Sequence, residues 1–347
     1  MHNMKIKKLV FASIIIVLFF LFLEVVLYVL FDVCRKEGIP FRNYKKLRRS
    51  VDIQYDSELG WRLRPNAAGS LDYTGYYYKL NSLGLRNDEV DIHKDNKVKR
   101  IFCLGGSSTF GIGVQDDETY PYYLNGILNG NAEKKYEVIN AGIFGYDLYQ
   151  INLYLKKYIL DYRPDILILI LAHNNMLPNE MARGKKEPLL MSRLYASRLY
   201  RLMRILIYKI KYGNNRNIMK NVRAGVSVYP QLIEYKKNLE ELAAICNKNK
   251  IKLILCTESK LNDEDIFRAP KKIRIMPYMD IFNKVLIETA IKEGVDFIDA
   301  DSKIPAFNRD RYFNDPKTDF QYVIHPNGEG NRIIAAELGK AIMGQKK

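Results

Sequence analysis

The chain of 347 residues contains four histidines: His2, His93, His173 and His325. Imidazole is the usual group for drawing a proton from a hydroxyl near neutral pH, so this short list narrows where nucleophilic chemistry can reside. His2 precedes an apolar run and His93 sits in a charged linker. His173 falls at the end of an apolar run, where a structural or substrate contact is as reasonable as catalysis. His325 opens Ile324-His325-Pro326-Asn327-Gly328-Glu329-Gly330, just before the last helical pattern. Pro326 suits a first helical turn, which would fix the backbone beside the ring. His325 is therefore the best candidate base.

The matching hydroxyl lies in Gly105-Gly106-Ser107-Ser108-Thr109-Phe110-Gly111. A serine is a weak nucleophile unless a base takes its proton and donors hold the resulting oxyanion. A Gly-Gly-Ser turn between a strand and a helix exposes the Ser107 side chain and a backbone N–H at one point. The loop lacks the Lys of a phosphate-binding P-loop and the G-x-G-x-x-G spacing of a dinucleotide site. It is not G-x-S-x-G either, so the α/β-hydrolase elbow is unmatched. Two further segments, Asn140-Ala141-Gly142-Ile143-Phe144-Gly145 and Ala172-His173-Asn174-Asn175, also close apolar runs. The N–H of Gly145 and the amide of Asn174 can join the N–H of Ser107 in an oxyanion hole. Each residue taken alone is more often a turn residue than a catalytic one.

These groups must be carried by elements that converge. Lys99–Leu104, Tyr136–Asn140, Asp165–Leu171, Lys252–Thr257 and Asp296–Asp299 are apolar runs of strand length. Helical patterns lie between them near 119–129, 148–161, 231–248 and 277–293, with a last one at 327–342. Such alternation predicts an α/β fold, a doubly wound parallel sheet of about five strands with helices on both faces. Sites in such sheets form beyond the carboxyl ends of the strands, where Ser107, Gly145 and Asn174 all fall.

The 176–228 segment breaks the alternation. Tyr195, Leu199, Leu202, Leu206 and Ile210 share one helical stripe, with Arg193, Arg201, Arg204 and Lys211 elsewhere around the helix. A helix packed on the domain with a solvated basic face explains this pattern, as does a lid or a helix lying on an anionic membrane surface.

Three regions follow: 1–31, an N-terminal tip and membrane anchor; 32–98, a juxtamembrane extension; and 99–347, the main domain with 176–228 as a helical insertion. Leu9 to Phe31 is interrupted only by Ala12, Ser13, Glu24 and Tyr28. At ~1.5 Å per residue it spans about 35 Å, enough for a bilayer core. Glu24 costs roughly 3 kcal/mol at mid-membrane, and each of the many Leu, Ile, Val and Phe residues returns about 0.3–0.6 kcal/mol. The extension holds the only Trp, in Gly60-Trp61-Arg62-Leu63-Arg64-Pro65-Asn66. Its tyrosines and Trp61 can stack on sugars, though a small β-ribbon packed on the domain is the simpler expectation.

The pieces, in this order, resemble the blocks of the SGNH/GDSL hydrolase family over about residues 99–345. Ser107 matches the block I serine, Gly145 the block II glycine, Asn174 the block III asparagine and His325 the block V histidine. Gly-Trp-x-Leu-x-Pro-Asn and Asn81-Ser82-Leu83-Gly84-Leu85-Arg86 resemble segments that precede this domain in bacterial membrane-anchored members. The resemblance implies a flavodoxin-like sheet and a serine esterase that removes O-acyl groups, chiefly acetyl, from an envelope or secreted carbohydrate through an acyl-serine. Neither cofactor nor metal is implied. An O-acetyltransferase acting on a glycan and a non-catalytic glycan-binding or assembly protein remain alternative readings.

The sequence departs from the family pattern in three places. Gly106 and Asn175 stand where many members have Asp. Tyr322 stands where the acid of the triad is expected, three residues before His325. A Ser–His dyad, a relocated Asp319 or Asp315, and an inactive descendant are the readings left open. Losing the orienting carboxylate costs roughly 10⁴-fold in well-studied triads.

The totals limit what else the chain can be. With 48% hydrophobic residues a large core can be buried. A net charge of +16 suits a surface near anionic lipid or acidic polymer, while the lack of any nucleic-acid motif argues against DNA or RNA. Cys34, Cys103, Cys246 and Cys256 show no metal spacing and read mainly as small buried hydrophobes. Lys5, Lys7 and Lys8 precede the anchor, but Arg35, Lys36, Arg42, Lys45, Lys46, Arg48 and Arg49 follow it. Taken literally that charge bias keeps the domain in the cytoplasm. Long domains cross regardless of charge, so the family resemblance sets the expectation of a single-pass protein with its domain outside the cytoplasm.

Overall fold

The computed structural model describes residues 11, 15, 18–26, 53–56, 58–70, 76–130, 135–176, 229–261, 279–313 and 324–344. Contacts divide the chain into two units, Met1–Lys45 with Lys185–Pro230 and Lys46–Gly184 with Gln231–Lys347. Within the first unit, residues 11, 15 and 18–26 are helical. Among the described residues no helix is long and apolar enough to cross a membrane; most of the expected anchor, and nearly all of the 176–228 segment, lie outside those residues.

The second unit opens with two antiparallel ribbons. β1 (Ile53–Asp56) pairs with β2 (Gly60–Leu63), and β3 (Ala68–Ser70) with β4 (Tyr77–Lys79). The main sheet follows: β5 (Lys99–Gly105), β6 (Tyr136–Gly142), β7 (Ile166–Ile170), β8 (Lys252–Cys256) and β9 (Asp296–Ile298). Its five strands are all parallel, in the order β6-β5-β7-β8-β9. The chain turns to one side of β5 and then crosses to the other, which leaves a crevice between β5 and β7 at the strands' carboxyl ends.

Side chains along a strand alternate between faces, and here both faces are covered. On one, Ile101, Cys103, Ile168, Ile254 and Cys256 pack with Tyr120, Leu124 and Leu128 of α2 (Tyr120–Asn129) and Ile334, Ala335 and Leu338 of α6 (Gly328–Met343). Phe102, Leu104, Leu167, Leu169 and Leu255 alternate with these and are equally buried. A second layer comprises α3 (Leu148–Tyr154), α4 (Tyr229–Lys248) and α5 (Met279–Glu293). Asn152 donates to the Asn238 carbonyl at 2.9 Å, joining α3 to α4. Tyr235 of α4 meets Phe282 of α5 at 5.2 Å between ring centroids. Each fully buried Leu, Ile or Phe contributes about 1.5–3 kcal/mol, so residues buried from both sides commit the strands to the middle layer.

Local signals set where the helices start. Thr119 caps α2, accepting from the Tyr122 N–H, and Asp147 with Gln150 forms a reciprocal capping box on α3. Asn327 caps α6, accepting from the N–H groups of Glu329 and Gly330. Pro326 therefore stands just ahead of the cap instead of within the first turn, because the Asn327 side chain satisfies the helix donors one residue later. Helix α1 (Ser107–Phe110) is a single turn directly after β5 and ends at Gly111 in the left-handed region, with φ of 91°.

Candidate active site

Each sequence-selected residue in the described part of the chain comes to the carboxyl edge of the sheet. β5 ends at Gly105, and α1 begins two residues on with Ser107 buried at 5% exposure. The loop that follows β6 carries Gly145, and the turn after β7 carries Asn174. His325 arrives from the segment preceding α6, and its Nε2 lies 2.8 Å from Ser107 Oγ. That is hydrogen-bonding reach for proton transfer. Asp319, with Asp315 and Tyr322, lies outside the described residues.

The oxyanion candidates form a connected set. Asn174 Nδ2 donates to the Tyr146 carbonyl at 2.7 Å, tying its amide to the residue that follows Gly145. On its other side the same nitrogen faces Gly106, where an added Cβ would stand 2.4 Å away. A side chain at this position would displace the Asn174 amide. Gly145 has φ of 81°, a left-handed conformation that other L-residues adopt at a cost, and an added Cβ there would meet the Trp61 ring at 3.3 Å. Asn175 takes up a role an Asp could fill, accepting from the Leu148 N–H at 2.9 Å at the start of α3.

The extension buttresses this edge. Trp61, 6% exposed, packs edge to face on Tyr146 at 5.3 Å, and its carbonyl accepts the Tyr146 hydroxyl. Gln150 Nε2 donates to the Leu59 carbonyl at 2.6 Å. Trp61 is thus a packing residue and not a surface for stacking sugars. Arg86, from the Asn-Ser-x-Gly-Leu-Arg segment, is buried behind the Ser107 turn. Its guanidinium donates to the carbonyls of Phe110 at 3.1 Å, Gly111 at 2.6 Å and Val114 at 2.8 Å, and to Asp116 at 2.6 Å.

One carboxylate escaped the sequence reading. Glu258 stands two residues beyond β8 and is 1% exposed. It accepts from Ser108 Oγ at 2.6 Å, from the N–H groups of Ala172 and His173 at 2.8 and 2.9 Å, and contacts His173 Nδ1 at 3.1 Å. Its own backbone is gripped by Asn283 of α5, which accepts from its N–H at 3.0 Å and donates to its carbonyl at 2.9 Å. Burial acts to raise the Glu258 pKa, but His173, Ser108 and the backbone donors outweigh it and hold the carboxyl down at about 2. The available signal was a carboxylate directly after the fourth apolar run, at the edge where sites form.

Electrostatics favour a neutral base. Desolvation first, and then the neighbouring His173 ring, hold His325 at about 3, against a smaller opposing pull from Glu258. A neutral imidazole in contact with a serine hydroxyl can accept its proton at any pH near 7. The thiols at Cys103, Cys246 and Cys256 are buried, and burial pushes Cys103 and Cys246 up to about 12. They are inert at neutral pH. Among the described residues no group of His, Cys, Asp and Glu could hold a metal ion.

The sequence profile of the GDSL-like lipase/acylhydrolase family matches residues 103–333. No curated protein sequence matches the chain. Among solved structures it is similar to a GDSL-like lipase from Bacteroides thetaiotaomicron VPI-5482, at 17% identity over 72% of this chain and 91% of that one, with a TM-score of 0.43. It is also similar to the lipase/acylhydrolase from Enterococcus faecalis, at 15% identity over 72% and 98%, TM-score 0.45. A third is Axe2, an acetylxylan esterase from Geobacillus stearothermophilus, at 18% identity over 70% and 94%, TM-score 0.42.

Proposed function

Given that the chain belongs to the GDSL-like lipase/acylhydrolase family, we propose that it is a serine esterase in which Ser107 is the nucleophile and His325 its base. The observation that carries this reading is the 2.8 Å contact between Ser107 Oγ and His325 Nε2. His325 takes the Ser107 proton as Oγ attacks an ester carbonyl. The N–H groups of Ser107 and Gly145 and the Asn174 amide hold the oxyanion. His325 then returns the proton to the leaving alcohol, and water resolves the acyl-serine.

The substrate in this proposal is an O-acylated, chiefly O-acetylated, carbohydrate of the envelope or a secreted polymer. The chain is held by an N-terminal helix in the cell membrane, with the catalytic domain outside the cytoplasm. Exposed apolar side chains support the anchor: Phe11, Leu18, Phe19, Leu21, Phe22 and Val25 are all 58–66% exposed. Such a surface suits lipid and is unfavourable in water. The net charge of +16 fits a polyanionic surrounding.

A fluorophosphonate probe tests the chemistry. Wild-type protein should be labelled, and Ser107→Ala and His325→Ala should not, with p-nitrophenyl acetate hydrolysis falling on the order of 10⁴–10⁶-fold. Absence of labelling in folded wild type would make the chain a binder. Acetyl transfer that depends on an added glycan, with little release to water, would make it a transferase. Labelling of Cys34 by a membrane-impermeant thiol reagent in intact cells checks orientation; labelling only after lysis would place the domain inside.

A further inference from the structure

We infer that His173 is a second active-site imidazole, whose Nε2 holds the water or alcohol that resolves the acyl-serine. The inference rests on the esterase reading above. A carboxylate only accepts hydrogen bonds, so Glu258 keeps a His173 proton on Nδ1, and the lone pair of the neutral form of the ring is the one at Nε2. That nitrogen makes no hydrogen bond among the described residues, and the side chain is 15% exposed beside a Glu258 that is 1% exposed. The imidazole is thus held at one end and open at the other. Its ring meets that of His325 edge to face, with centroids 6.3 Å apart, and it directly precedes Asn174 in sequence. A second ring oriented by a deeply buried carboxylate is more than packing requires, because an apolar side chain would fill the space without burying a charge.

The step balances without a further reactant. The attacking water loses one proton to His325 Nε2 as its oxygen bonds to the acyl carbon. The C–Oγ bond to Ser107 then breaks and His325 returns the proton to Oγ. Throughout, His173 Nε2 accepts the second O–H of the water and ends unchanged. When an alcohol attacks, a neighbouring hydroxyl of the acceptor takes that place.

Two substitutions separate this role from a structural one. His173→Asn keeps a donor for Glu258 but has nothing at the Nε2 position; His173→Gln places an amide near it. Acylation is read by rapid mixing of excess enzyme with p-nitrophenyl acetate, and deacylation by loss of the acetyl adduct in intact-mass spectra. We expect His173→Asn to slow deacylation roughly 10–100-fold, far more than acylation, so that acetyl-Ser107 accumulates, with partial recovery in His173→Gln. Equal losses in both steps, or wild-type rates for His173→Asn, would overturn the inference. Failure of wild type to form any acetyl-Ser107 would overturn the esterase reading and this inference with it, an outcome distinct from either of those.

Discussion

Arg86 donates to the Gly111 carbonyl at 2.6 Å, across 25 positions of sequence. Gly111 closes the helical turn that begins at Ser107, so the extension before the sheet domain holds the far end of the element that presents the proposed nucleophile. Replacing Arg86 with Met keeps bulk but strands the carbonyls of Phe110, Gly111 and Val114. We expect a loss on the order of 3–5 kcal/mol, measured as a fall in denaturation midpoint, with hydrolysis declining before global unfolding. A midpoint within about 0.5 kcal/mol of wild type would show that these contacts are dispensable.

Asn174 has its amide on the Tyr146 carbonyl at 2.7 Å. Asn174→Ala removes the amide proposed to hold the oxyanion and leaves Ser107 and His325 in place. The expected result is a kcat lowered about 10²–10³-fold with KM nearly unchanged. A rise in KM at constant kcat would instead make Asn174 a ground-state binding residue.

Gly106 is where Asn174 approaches closely enough that an added side chain displaces its amide. An alanine there puts Cβ 2.4 Å from the amide nitrogen, so Asn174 must rotate out. Gly106→Ala should cost about 1–3 kcal/mol in stability and lower kcat toward the Asn174→Ala level. Combining the two substitutions should give less than the sum of their catalytic losses, since both displace one amide. Full additivity in the double variant would separate them.

Acid pH should lower stability well before it lowers activity, through His325 and Glu258. The unfolded His325 takes a proton below about 6.5, while the folded ring stays neutral until about 3. Its contribution is therefore complete above about 6.5 and is lost as pH falls toward 3. Glu258, held at about 2 against an ordinary 4.5, contributes stability above about 4.5 that is lost toward 2. The thermal midpoint should fall steadily below pH 6. In protein still folded by circular dichroism, kcat/KM should hold its plateau through pH 5, where an ordinary histidine base is already mostly protonated. An acid limb centred near 6.5 would show a solvated imidazole.

Much of this protein was legible from local pattern. Apolar runs such as Ile101–Leu104 and Ile166–Leu171 are buried on both faces, which is what continuous hydrophobicity without alternation requires of a central parallel strand. Because parallel strands share a direction, their carboxyl ends share an edge, and that alone brought Ser107, Gly145 and Asn174 together in principle. His325 followed by elimination, since only four histidines were available.

The sequence could not specify which long-range contacts close the site. Glu258 lies 150 positions from Ser108 and 85 from His173, and nothing in its own neighbourhood distinguishes it from an ordinary strand-end carboxylate. Its importance comes from being sealed from water with several donors around it, a property of the packed whole. The roles of Trp61 and Arg86 are of the same kind: a ribbon packed on the domain was the simpler expectation for this stretch, but which distant groups these two buried side chains meet was set only by packing. Periodicity and turn chemistry are local and survive in the sequence; desolvation and donor–acceptor matching arise only when distant segments share one interior.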